Sequence, residues 1–258
     1  MLLLGATLVG CATSAITGRK YLKLVDSQTI NNQAALAYKD FLSKNSSKVE
    51  TGSAAATQVK RVGNRIAAAT NEYLRQIGAA DKFNFNWEFN LIESDQVNAW
   101  CMPGGKVAVY TGILPVAKND AGLATVMGHE IAHAIEEHSV SQVSNAMAAQ
   151  LGAQLLNAAG TISNSRYTGI FNQIYGIGYQ VGSLKFSRND ELAADKAGLI
   201  LMAMAGYNPE EAVSFWERMA QGKKGSTPEW LSTHPSDARR ISQLQAMVPE
   251  AMKYYKKQ

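Results

Sequence analysis

The segment Val126-Met127-Gly128-His129-Glu130-Ile131-Ala132-His133 constrains this chain most, because it sets His-Glu-x-x-His inside a run that reads as an apolar helix. Residues four apart share one helix face. Two neutral imidazoles on that face can hold a zinc ion, and Glu130, next to His129, lies near enough to take a proton from a water on it. That is the layout of zinc-dependent peptide hydrolysis. A histidine pair that is only hydrogen-bonded and half-buried is the plainer alternative. Against it, three of the four histidines, His129, His133 and His138, fall within ten residues. The flanking Gly128 and Ala132 are small enough to let a metal and a substrate approach.

A chain of 258 residues, 46% hydrophobic and 18% charged, can bury a sizeable core and is not disordered. Its 25 basic and 21 acidic residues are mixed along the sequence, and a net charge of +4 is too weak for a nucleic-acid partner. Residues 1–10 are uncharged and apolar but shorter than the roughly 20 residues of a membrane-spanning helix. Leu8-Val9-Gly10-Cys11 resembles a bacterial lipoprotein box, although the basic start of a secretory signal is missing. On that resemblance residues 1–10 are a signal peptide, Cys11 carries lipid, and residues 11–26 form a tether holding the domain to the outer membrane, facing the periplasm. A frayed apolar N-terminus is the alternative. With Cys11 lipidated, Cys101 is the other cysteine, so the mature chain has no intrachain disulfide and Cys101 reads as a small buried hydrophobe.

The domain proper is expected over 27–258. Ile30, Ala34, Tyr38 and Phe41 recur at helical spacing after Ser27, and Val59, Val62, Ile66, Tyr73 and Ile77 predict a long amphipathic helix stopped by Gly78. Phe83 to Leu91 alternates apolar with polar and predicts a half-buried strand. Val97–Met102, Pro103-Gly104-Gly105 and Lys106–Thr111 read as a hairpin. Asn119 or Asp120 caps a helix that bears the motif and runs to His138. Val143, Met147, Leu151 and Leu155 form a stripe, 160–182 reads as a mobile loop, and Arg188–Met202 as another helix. Asn208-Pro209-Glu210-Glu211 is a helix start, 226–235 a loop, and Asp237–Val248 a last helix before a basic tail.

A catalytic zinc keeps three protein ligands. Glu191 and Asp195, four apart on a predicted helix, offer the third: Glu191 would bind the ion, and Asp195 would accept a hydrogen bond from a ligand histidine's second nitrogen. Solvated surface charge is the alternative for this pair. His138, five residues past His133, is rotated by roughly 140° on a continuous helix and is assigned to structure.

Together Gly128–His133 with His138, Glu191 to Asp195, Asn98-Ala99 with Pro103-Gly104-Gly105 and Tyr110-Thr111-Gly112, and Ser232-Thr233-His234-Pro235-Ser236 with Arg240 resemble the M48 family of zinc metallopeptidases. The lipobox and Thr17-Gly18-Arg19-Lys20 make the chain similar to its bacterial lipoprotein members. The resemblance implies an α+β, zincin-like domain, mostly helical, with a small β-sheet whose edge strand binds substrate. It implies one Zn2+ per chain on His129, His133 and Glu191, with Glu130 as general base towards the zinc-bound water. Asn98, Ala99 and Trp100 would belong to the strand that pairs with an extended peptide, and unfolded or misassembled envelope proteins would be the substrates. His234 is a packed loop histidine, a donor to the oxyanion, or a further ligand that closes the site. Arg240 either pairs with Asp195 or Glu191 or is solvated. Two rivals carry the same metal: a chaperone-like holdase, and a zinc amidase acting on cell-wall peptides. Oligomeric state is not readable from the sequence.

Overall fold

The computed structural model describes residues 10–155, 169, 186–221, 229–234 and 238–256. The expected signal peptide, apart from Gly10, and the expected mobile loop at 160–182, apart from 169, lie outside the described residues.

The chain opens with a hairpin. Strands β1 (Cys11–Thr13) and β2 (Lys20–Leu22) pair antiparallel, and Ser14 N donates to Arg19 O at 2.8 Å to close the turn. Helix α1 (Ser27–Lys44) follows, capped by the Asp26 side chain on Thr29 N. The two-residue strand β3 (Val49–Glu50) leads to α2 (Ala54–Gln76), which starts at the Ser53 cap and stops near Gly78, where φ is +67°.

Three more strands join β3 in a four-stranded sheet: β4 (Glu88–Ile92), β5 (Ala99–Met102) and β6 (Lys106–Tyr110). The order is β3-β4-β6-β5, with β4 and β6 parallel and the outer pairs antiparallel, so β5 is an edge strand among the described residues. The 97–111 hairpin forms as predicted, with Gly104 and Gly105 at φ +78° and +88° in its turn. The strand expected from Phe83 begins only at Glu88. Its aromatic alternation nevertheless has a purpose: Phe83, Phe85, Trp87 and Phe89 stack in a row with centroids 5.5, 4.4 and 6.3 Å apart.

The sheet is buried on both faces by the period-two alternation of its side chains. Phe89, Leu91, Ala99, Val107 and Val109 face one core, shared with α2. Ile92, Trp100, Met102, Ala108 and Tyr110 face the other, shared with α1.

After the short α3 (Leu114–Ala117), Asn119 caps α4 (Asp120–Ile135) through Gly122 N. Every residue of α4 from Gly122 to Ile135 is buried, so this is a core helix, covered all round although it carries Thr125, His129, Glu130 and His133. It does not continue to His138. Glu137 takes φ +53°, the chain turns, and α5 (His138–Leu155) begins.

The remaining described helices are α6 (Arg188–Met204), α7 (Glu210–Ala220), α8 (Glu229–Thr233) and α9 (Ala238–Met252). Asn208 Oδ1 accepts from Glu210 N at 3.1 Å, which caps α7 as its sequence predicts. The loop expected at 226–235 contains the helical turn α8, and the last helix runs on through Pro249, with Tyr254 packed edge-on to Tyr73 beyond it. Among the described residues no helix is long and apolar enough to cross a membrane.

Candidate active site and metal centre

Helices α4 and α6 cross backbone to backbone. A Cβ placed on Gly198 would lie 3.0 Å from the Gly128 carbonyl carbon and from His129 N. The small residue before His129 therefore makes room for α6, where the sequence had suggested room for substrate. A capping box between Ser187 and Asp190 starts α6, and Glu191 and Asp195, one turn apart, both become buried towards α4.

The close crossing brings four side chains to one point. His129 Nε2 is 3.1 Å from His133 Nε2 and 3.2 Å from His234 Nδ1. Glu191 Oε1 is 2.9 Å from His234 Nδ1 and 3.5 Å from His133 Nε2, and Glu191 Oε2 is 3.4 Å from His129 Nε2. One donor atom from each of the four lies within 4.8 Å of the others, and all four residues are at most 4% exposed. Three imidazoles and a carboxylate aimed at one buried point repel or orphan one another unless a cation or shared protons sit between them. Glu191 Oε2 shows that frustration: Arg240 Nη1 is 2.8 Å away, yet among the described residues no well-directed hydrogen bond reaches it. The donor set fits a divalent ion.

The second ring nitrogens are occupied. His129 Nδ1 lies 2.9 Å from Asp195 Oδ1, and His133 Nδ1 lies 2.8 Å from His138 Nδ1. Partners on Nδ1 fix the tautomer and leave Nε2 for the cluster. His138 reaches His133 because the left-handed Glu137 turns the chain back; on a continuous helix it would point elsewhere. Phe186 stacks on the His133 ring at 3.9 Å.

Burial pulls the His129 imidazole down, but Asp195 and Glu191 outweigh it and raise it to about 9. For His133, burial and the neighbouring His129 outweigh Glu191 and push it well below the ordinary histidine value. Burial likewise pushes His138 down to about 3. Burial opposes ionisation of Glu191 and Asp195, yet His234 for the former and Arg240 for the latter hold both below the usual carboxylate range.

Glu130 is buried beside the cluster. Its Oε1 accepts from Trp230 Nε1 at 2.7 Å and lies 3.4 Å from His234 Nε2. Trp230 was not among the residues singled out from sequence. The α8 turn places it, stacked on Trp216 at 4.9 Å, with its backbone N donating to Val97 O at 3.1 Å. Pro235 and Ser236 lie outside the described residues.

Arg240 is buried and paired, not solvated. It donates to both Asp195 oxygens, from Nε at 2.8 Å and Nη2 at 2.7 Å, and stacks 3.6 Å over the Trp216 ring. Asn98 is buried with Oδ1 turned to Ala99 N at 2.9 Å, Ala99 packs into the core behind β5, and Trp100 faces α1. Cys101 is half-buried, and burial pushes its thiol well up. Cys11 is exposed in β1, away from the cluster.

Residues 53–248 match the model of the family described as Peptidase family M48. The chain is 32% identical over 262 residues to "Mitochondrial metalloendopeptidase OMA1" of Schizosaccharomyces pombe, covering 96% of this chain and 72% of the relative. It is 31% identical over 175 residues to "Metalloendopeptidase OMA1, mitochondrial" of Homo sapiens, covering 65% and 33%. It is 28% identical over 195 residues to the "Beta-barrel assembly-enhancing protease" of Escherichia coli O157:H7, covering 69% and 39%. The chain thus spans from a third to nearly three quarters of these relatives. A match of this extent, over the helices that carry the His-Glu-x-x-His residues and Glu191, places the chain in peptidase family M48.

Proposed function

We propose that the chain is a zinc-dependent endopeptidase that cuts extended, unfolded polypeptides, with Glu130 as general base. The observation that carries this reading is the convergence of His129, His133, Glu191 and His234 on one buried point beside Glu130. Four tetrahedral donors at zinc bond lengths of about 2.0–2.1 Å stand about 3.3–3.4 Å apart; counting both Glu191 oxygens, five of the donor distances here run from 2.9 to 3.5 Å, and one atom from each residue lies within 4.8 Å of the others. His129, His133 and Glu191 would hold the ion, and His234, which reaches the same point, would close the site until it moves away. Zinc bound there supplies a Lewis acid that polarises a peptide carbonyl and acidifies water. Glu130 takes the proton of the attacking water and returns it to the leaving amine. Once His234 leaves the cluster, it is placed to donate to the oxyanion. Asp195 orients His129, and Arg240 neutralises the two acids. The edge of β5, Ala99 to Met102 following Asn98, is outermost among the described strands and supports backbone pairing with an extended peptide.

The reading extends to place and substrate. Cys11 is exposed and available for a lipid, which would hold the domain at an outer membrane among unfolded envelope proteins; mass spectrometry of the mature chain tests this. The decisive experiment is hydrolysis of casein with bound zinc counted, for wild type and Glu130→Gln. The variant should lose about 10²- to 10⁴-fold in rate and keep its zinc. If Glu130→Gln retains full function in cells, a holdase is the better reading. Peptide release from cell wall with casein left intact would favour an amidase. Zinc-loaded but inactive wild type that His234→Ala activates would assign the closed site to His234.

A further inference from the structure

We infer that Arg19 is a positioning residue of the metal centre: one guanidinium from the N-terminal hairpin ties the helix that carries His129 and His133 to the helix that carries Glu191 and Asp195. The inference rests on the metal centre proposed above. Arg19 Nη2 donates to Glu136 O at 3.2 Å, and Nη1 pairs with Asp190 Oδ1 at 3.3 Å. Glu136 is the residue that ends α4, three past His133, and Asp190 precedes Glu191 in the first turn of α6. Arginine suits this place because its planar fork reaches two acceptors in different directions, which the single ammonium of lysine does not.

The same carboxylate oxygen leads back to a metal ligand. Asp190 Oδ1 is 3.4 Å from His138 Nε2, a buried nitrogen with no hydrogen bond among the described residues. His138 Nδ1 in turn is 2.8 Å from His133 Nδ1. The chain Arg19, Asp190, His138, His133 therefore sets the ring that faces the cluster. With His138 protonated on Nε2 towards Asp190, its Nδ1 accepts from His133 Nδ1–H, and His133 Nε2 is left as a ligand.

The corner that makes this contact is strained and held in place. Glu137, at φ +53°, is secured by Tyr21 Oη and Ser27 Oγ and by Lys23 Nζ at 3.0 Å, while Thr17 Oγ1 donates to Glu136 Oε2 at 2.6 Å. Those bonds hold the hairpin to α4. Arg19 alone among the hairpin residues described reaches both helices.

The test is zinc affinity, by competition with a chromophoric chelator, and the visible spectrum of the cobalt(II)-substituted protein. Arg19→Gln should weaken zinc about tenfold or more, the usual cost of losing a partner behind a metal ligand, and should shift the cobalt spectrum. Asp190→Asn, which keeps an acceptor for the α6 cap, should do the same and serves if Arg19→Gln does not fold. Lys20→Gln, at an exposed position of the same hairpin, touches neither the Glu136 corner nor α6 and should leave affinity and spectrum unchanged. Wild-type affinity in both Arg19→Gln and Asp190→Asn, or an equal loss in Lys20→Gln, overturns the inference while the metal centre stands. Wild type that binds no zinc overturns both.

Discussion

The indole of Trp230 gives Glu130 a fixed donor inside a buried site. A hydrogen bond to a charged group contributes about 1.5–3 kcal/mol, and an unsatisfied buried carboxylate oxygen costs at least as much as the bond gained. Trp230→Phe keeps a ring against Trp216 but removes the N–H together with part of the buried indole's volume. Urea unfolding of the metal-free protein should show a loss of at least about 1.5–3 kcal/mol from the hydrogen bond, with the lost packing added to it; an unchanged midpoint would mean that Glu130 finds another donor. The residues that carry chemistry were legible where they shared a helix face: His129 and His133 stand out by spacing and residue type, while the spacing of Glu191 and Asp195 left solvated charge open, and it is their burial against α4 that brings them to the histidines. Trp230 was not legible, because it meets Glu130 from 100 residues away through a single helical turn with no period to read. His138 was misplaced for a local reason. Nothing in Glu136-Glu137 announces a left-handed residue, since glutamate rarely adopts that conformation.

At the scale of elements, the site depends on the distance between α4 and α6, and Gly128 and Gly198 set that distance. Gly198→Ala would put a methyl 3.0 Å from the backbone at Gly128 and His129, which no rotamer change relieves. The helices must part, at about 1–3 kcal/mol, and Glu191 moves away from the histidines. Unfolding and zinc competition should both weaken; a stable variant with normal zinc would show that the crossing can slide without harm. The start of α4 makes a separate prediction. Burial raises the Asp120 carboxyl, but Arg61 and Gln58 outweigh it and hold it below its ordinary value. A carboxylate whose folded pKa is depressed adds stability above its unfolded value, about 3.9, and loses it as pH falls through the folded value. Asp120→Asn should thus melt below wild type at pH 7, and the gap should close under acid. The helices themselves were legible because their apolar stripes are long. The Phe83 strand was overread: alternation reports which side of the chain faces a neighbour, and here that side builds an aromatic stack before any ladder begins at Glu88.

Across the whole molecule, the N-terminal hairpin and the last helix both fasten on α6. The hairpin ties α6 to α4 at the Glu136 corner, and Arg240 of α9 pairs with Asp195 and Glu191 of α6 while stacking on Trp216 of α7. The cluster therefore carries buried negative charge that Arg240, the histidines and a bound cation balance between them, because Glu191 and Asp195 are buried and held ionised. Removing one partner of a buried ion pair costs about 3–5 kcal/mol, since the other charge stays buried. Arg240→Met keeps much of the contact with Trp216 and leaves both acids without their guanidinium. In the metal-free protein it should lose about 3–5 kcal/mol of stability. With zinc present the loss should be smaller, because Glu191 then has the ion as its positive partner and only Asp195 still needs one. Urea unfolding of wild type and Arg240→Met, each with zinc and with chelator, separates the cases. A larger deficit under chelator shows that arginine and metal share the neutralisation of one site. An equal deficit in both conditions would mean that Arg240 serves packing alone, and that the acids at the centre of this fold are kept ionised by the histidines.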